Sequence, residues 1–133
     1  METTTRKKTV SREQGEINRI LNVYFPKTSS RTGTKKEGNY TCFSISYTDG
    51  VSSQRVYNAL KRLERCSQPE INSGGIRIEI DRTLSENIQK LLLAEVKTVF
   101  NMKKTPKMSD YFSPIKGTVG DYVRLIFKMR DFE

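Results

Sequence analysis

Apolar positions recur along this chain in two rhythms. Ile76, Ile78 and Ile80 alternate with Arg77, Glu79 and Asp81, and a period of two predicts a half-buried strand. Thr83-Leu84-Ser85-Glu86 follows as a capping box, a helix start in which hydroxyl and carboxylate satisfy free N–H groups. Leu84, Ile88, Leu91, Leu92, Val99 and Phe100 then fall at helical spacing up to Met102. This strand and helix, Gly74 to Met102, form the most apolar stretch and the expected organising unit.

The same two rhythms divide the rest. Ser11-Arg12-Glu13-Gln14 is a second capping box, and Ile17, Ile20, Leu21 and Tyr24 mark a helix that Pro26 stops. Residues 27–38 hold no apolar side chain and read as a basic loop. Tyr40 to Tyr47 alternates, with Thr41, Phe43, Ile45 and Tyr47 on one face. After the Thr48-Asp49-Gly50 turn, Ser52 or Ser53 caps a helix with the stripe Val56, Ala59, Leu60 and Leu63. Residues 103–120 read as an irregular basic segment. Tyr122 to Arg130 reads as a last strand, with Val123, Leu125, Phe127 and Met129 on one face.

The expected class is therefore α/β or α+β. A 10-residue basic arm (1–10) precedes a single small domain (11–133) in the order α-β-α-β-α-β, a sheet of three or more strands packed with helices. In element order alone, the β-α-β-α-β part resembles the archaeal chromatin family Alba, with no motif in common.

Charge narrows the function. Lys and Arg number 24 against 15 Asp and Glu, a net +9. Residues 67–101 carry 4 basic and 5 acidic groups, so the excess lies outside the organising unit and suggests a polyanionic partner. The candidate contacts are Lys7 and Lys8 in the arm, Arg31, Lys35 and Lys36 in the first loop, and Arg55, Lys61, Arg62 and Arg65 on a helix face. Lys103 and Lys104 follow the organising helix, and Arg124, Lys128 and Arg130 line the last strand. Cations beside phosphates release condensed counterions, which drives binding with little sequence preference. Tyr40, Tyr47, Tyr57 and Tyr122 are candidates for stacking on bases. No helix-turn-helix, zinc-finger or RNP-type signature is present to read DNA or RNA bases.

Other chemistries have less to draw on. The chain has no histidine and two cysteines, Cys42 and Cys66, both read as core fillers with free thiols. No phosphate-cradling glycine motif, metal set, cofactor site or catalytic residue emerges, and the sequence leans against an enzyme. A small metal-dependent nuclease has only Glu79, Asp81 and the Glu95-Val96-Lys97 triplet to use, and that triplet sits in a helix. No apolar run approaches the roughly 18 residues of a membrane span, and no signal-peptide core opens the chain. The expectation is an intracellular protein, cytoplasmic or nuclear, with a homo-oligomer compatible with the sequence.

One short segment suggests a protein partner instead. Thr105-Pro-Lys-Met108-Ser-Asp-Tyr111-Phe112 resembles the box by which replication and repair proteins plug into a sliding clamp. Met108, Tyr111 and Phe112 match the apolar plug, and Thr105 stands where glutamine is usual. The resemblance implies an adaptor docking on a clamp or polymerase through residues 104–114.

Overall fold

The two alternating segments become neighbouring strands. In the computed structural model, β2 (Tyr40–Thr48) and β3 (Gly75–Thr83) pair in parallel, with Phe43 opposite Ile78 and Ile45 opposite Ile80. Helix α2 (Ser53–Leu60) makes the crossover that a parallel pair requires. Ser52 caps it by accepting from Arg55 N at 3.4 Å. Helix α1 (Glu2–Tyr24) packs with α2 on the same side. The structure describes residues 2–133, with side chains from Arg12 onward. The side chains of Lys7, Lys8 and the rest of the proposed arm, residues 1–10, lie outside the described residues; α1 runs through Ser11, so the capping box expected there is interior to the helix.

The third strand comes from the segment read as a loop. β1 (Ser30–Glu37) pairs antiparallel with β2, giving a mixed sheet in the order β1-β2-β3. Glu37 lies opposite Tyr40 across a two-residue turn whose Gly38 has φ +60°, a backbone that favours glycine. Polar contacts with α1 replace an apolar face: Gln14 Nε2 donates to Thr32 O at 3.2 Å, and Thr32 Oγ1 donates to Asn18 Oδ1 at 3.1 Å.

The segment read as a last strand is instead helix α4 (Val119–Met129). Thr118 Oγ1 accepts from Asp121 N, and Asp121 Oδ2 accepts from Thr118 N, a capping box at 3.1 and 3.0 Å. Val123 and Phe127 are buried, whereas Leu125 and Met129 are exposed. Positions 123 and 127 satisfy both periods, and the cap decides for the helix. Removing this strand also removes the expected element order and its likeness to the Alba family. The α/β class and the three-stranded sheet stand, with β1 as the third strand.

Helix α3 (Glu86–Val99) is capped two residues later than expected. β3 runs through Thr83, and Ser85 caps the helix by accepting from Ile88 N at 3.1 Å. Between α3 and α4, β4 (Tyr111–Phe112) and β5 (Gly117–Thr118) form a short hairpin. Gly120 N donates to Met108 O at 2.8 Å. A Cβ on Gly120 would lie 2.9 Å from that oxygen, so only glycine fits the approach.

Two hydrophobic clusters result. The first joins Ile17, Ile20 and Phe25 of the α1 region, Phe43, Ile45, Ile76 and Ile78 of the sheet, and Val56 and Leu60 of α2. The second joins Leu92, Leu93 and Val96 of α3 to Phe112, Val119, Val123 and Phe127. The expected organising unit is therefore divided, its strand in one cluster and its helix in the other. Tyr24, Leu91, Val99 and Phe100, counted in the apolar stripes, are exposed at 65%, 48%, 72% and 38%. No described helix is long and apolar enough to cross a membrane.

Arg82, on β3, ties the clusters together. It donates to Asp49 O at 2.6 Å, Gly50 O at 2.9 Å and Arg130 O at 2.8 Å, and also to Phe127 O. Its guanidinium lies 3.8 Å from the Phe127 ring centroid. Nearby, Phe132 N donates to Gly50 O at 2.6 Å, and Ser52 N donates to Asp131 Oδ1 at 2.8 Å.

Candidate nucleic-acid interface

The helix cations expected to meet a polyanion are largely occupied. Arg62 Nη2 lies 3.5 Å from Glu16, and Arg65 Nη2 lies 3.8 Å from Glu13, both carboxylates on α1. Arg65 Nε also donates to Gly74 O at 2.9 Å. Arg55 pairs with Asp131. Among the described residues, Lys61 alone of the four has no carboxylate within 4 Å. Exposed pairs of this kind contribute about 0–1 kcal/mol, but they cancel the local positive field.

The cations assigned to a last strand face are dispersed by the helix that replaces it. Arg124 lies 3.9 Å from Asp121, Lys128 is exposed, and Arg130 donates to Glu95 at 2.7 and 3.0 Å. Arg130 follows α4, and β-strand alternation no longer aligns it with the other two. Lys103 and Lys104 are exposed in the loop after α3.

The sheet presents a different arrangement. Its helix-covered face carries Phe43, Ile45, Tyr47, Ile76, Ile78 and Ile80. The opposite face is open: Arg31 lies beside Ser46, Gly33 beside Ser44, and Lys35 beside Cys42, with Arg77, Glu79 and Asp81 continuing on β3. Arg31, Lys35 and Arg77 are exposed, and so are Glu79 and Asp81. Charge is thus graded across the sheet, positive at β1 and negative at β3. Lys36, one residue beyond Lys35, falls on the helix side of β1. Lys35 lies 3.4 Å from Glu37, whereas Arg31 has no ion-pair partner among the described residues.

Tyr40 is the stacking candidate that stands on this open face. The Arg77 guanidinium lies 4.0 Å from its ring centroid, and its hydroxyl accepts from Ser67 N at 3.2 Å. A Cβ on Gly75 would come within 2.2 Å of the ring, so glycine makes room for it. The other tyrosines are engaged elsewhere. Tyr47 is buried and donates to Val51 O at 2.8 Å, and burial pushes its hydroxyl pKa up to about 12. Tyr57 donates to Glu64. Tyr122 packs against Phe100 and Phe112.

Cys42 is buried although it lies on the open-face side of β2. Burial, then the Glu79 carboxylate, raises its thiol pKa, which disfavours the reactive thiolate. Cys66, expected to be a core filler, is exposed.

The clamp-like segment divides its aromatics. Phe112 is 3% exposed in the second cluster, Met108 packs against that cluster, and Tyr111 is 71% exposed. The 3₁₀ turn lies at Ser113–Ile115, after the plug residues. This structure therefore does not present the paired apolar plug, because β4 points alternate side chains in and out. The nuclease set is likewise scattered. Val96 is core, Glu95 pairs with Arg130, and no group of three or more His, Cys, Asp or Glu that could hold a metal forms among the described residues.

Comparison with protein families, curated proteins and solved structures returns no match to this chain.

Proposed function

We propose that the protein binds nucleic acid through β1 and the open sheet face. The observation that carries this reading is exposed Arg31 on β1, with no ion-pair partner among the described residues and with exposed Lys27 lining the same end; Lys35, on the same side of the strand beyond Gly33, adds a cation shared with Glu37. Arg77 and Tyr40 extend the same side with a cation and a ring. In this reading the phosphate backbone follows the positive β1 margin, away from Glu79 and Asp81. Bases reach inward over Ser44, Ser46 and Tyr40, an open platform better suited to a single strand than to a duplex groove. The activity is binding without chemistry, and an intracellular setting belongs to the same proposal. The rival adaptor reading would need Phe112 to leave the second cluster.

The test is a salt-titrated binding assay with single- and double-stranded DNA and RNA. Affinity should fall by orders of magnitude between low and roughly 200 mM salt. Arg31→Ala with Lys35→Ala should lower affinity and reduce the salt slope by about one unit per lost phosphate contact. Arg62→Ala with Arg65→Ala should do much less. Absence of binding at low salt, or equal losses from both double variants, would overturn the assignment.

A further inference from the structure

The open face ends in a cleft at the carboxyl ends of β2 and β3, where parallel strands of open sheets commonly place their ligand sites. Its volume is about 680 Å³, within the range of small-molecule sites. Lys27 and Arg31 line it, as do the hydroxyl-bearing residues Ser46, Thr48 and Thr83 at the strand ends. Neither cation has an ion-pair partner among the described residues. Asp49 is the lining carboxylate, and its Oδ1 already accepts from Ser85 N at 2.9 Å. Arg82 holds the carbonyls of Asp49 and Gly50 from behind, adding fixed positive charge to that end of the sheet. Thr28, in the same lining, has a buried Oγ1 with no hydrogen-bond partner.

We propose that this cleft takes a phosphate monoester, supplied by a free nucleotide or by the phosphorylated end of a strand lying on the open face. Only the strand-end form rests on the nucleic-acid reading above. A monoester carries about −1.5 to −2 charge at pH 7 and three terminal acceptor oxygens. Two unpaired cations and several hydroxyl donors match that set. An internal phosphodiester has a single negative charge and two free oxygens. The cleft therefore separates an end from the middle of a strand, which the graded sheet face does not.

The experiment titrates the full chain with adenosine monophosphate, adenosine, and one oligonucleotide bearing a 5′-phosphate, a 3′-phosphate or hydroxyl ends. Calorimetry and amide chemical shifts read the binding. Adenosine monophosphate should shift the amides of residues 27–31 and 48–50, and adenosine should not. One phosphorylated oligonucleotide should bind about tenfold more tightly than its hydroxyl form, the equivalent of one charge-assisted hydrogen bond. Lys27→Ala should erase that preference and the nucleotide shifts with an unchanged melting temperature. Lys35→Ala, outside the cleft, should weaken all strands alike and keep the preference. Shifts with the nucleotide but no strand binding would support the cleft in its free-nucleotide form and sink the sheet-face reading. Equal binding of all three strands with a silent nucleotide would overturn the cleft and leave the sheet face standing. A phosphate preference that survives Lys27→Ala would also overturn it.

Discussion

The two hydrophobic clusters are built to different standards. The first packs two helices onto the face of β2 and β3 and buries 12 of the described residues, with Phe43 and Ile45 fully enclosed. The second packs two helices around a short hairpin and buries seven. It also leaves Leu91, Val99, Leu125 and Met129 exposed on its helices. A sheet face gives a helix a broad partner, whereas two helices meet along one line and leave their flanks uncovered. Stability should follow that difference, with the second cluster opening at lower free energy than the first.

The sharpest break in the comparison would come from paired core truncations. Phe43→Ala should destabilise the protein by about 3–5 kcal/mol, and Leu92→Ala by about 2–5 kcal/mol. Hydrogen exchange should separate them. Leu92→Ala should speed exchange in α3 and α4 while β2 keeps most of its protection. Equal losses in both regions would mean that the clusters open as one unit.

Arg82→Ala should have the next largest effect, roughly 2–4 kcal/mol, since four carbonyls lose a charged donor and some regain water. Its distinctive result should be a loss of coupling. Near-ultraviolet and far-ultraviolet melting curves should lie further apart in the variant than in the native protein. Coincident curves at a lowered midpoint would make Arg82 an ordinary packing residue.

Asp131→Asn should act least, and only above acid pH. Burial raises the Asp131 carboxyl pKa, but the Ser52 N–H and Arg55 outweigh it, and the net shift is downward from 3.8. A lowered folded pKa stabilises above the unfolded value and loses that contribution as pH falls through the folded value. Melting temperatures of native protein and variant should therefore differ at about pH 6 and converge in strong acid. A gap that persists in strong acid would show that the lost contact is steric.

Legibility in the sequence cut across that divide, since β1 beside the first cluster and α4 in the second were both missed. Alternation located β2 and β3, and helical spacing located α2 and α3, because each of these elements buries one face against the first or second cluster. β1 was not legible by hydrophobicity, since its inner face bonds to Gln14 and Asn18 through polar groups. The Gly38-Asn39 turn beside a clear strand was the signal that could have found it. α4 was misread because Val123, Leu125, Phe127 and Met129 alternate, and two of the four face solvent. The Thr118-Val-Gly-Asp121 cap was the missed cue. Pairing of Arg62 and Arg65 with α1 was invisible to counting charges, since it depends on how the segment after α2 runs past α1. The cleft was equally hidden: Lys27, Thr48 and Thr83 belong to three segments that the antiparallel β1–β2 and parallel β2–β3 pairings together bring to one end.

The Ser52–Asp131 hydrogen bond joins residues 79 positions apart, and this separation bears on the order of assembly. Contacts so distant in sequence carry a large closure entropy and form late unless strong local structure precedes them. During synthesis the sheet and α2 can collapse around Phe43 well before residues 127–132 have left the ribosome. Until then Arg82 has no Phe127 or Arg130 carbonyl to meet, and the Ser52 N–H that opens α2 lacks its carboxylate. The end of the sheet that carries the cleft is therefore finished only when α4 arrives, so a later stretch of the chain completes a surface begun by an earlier one.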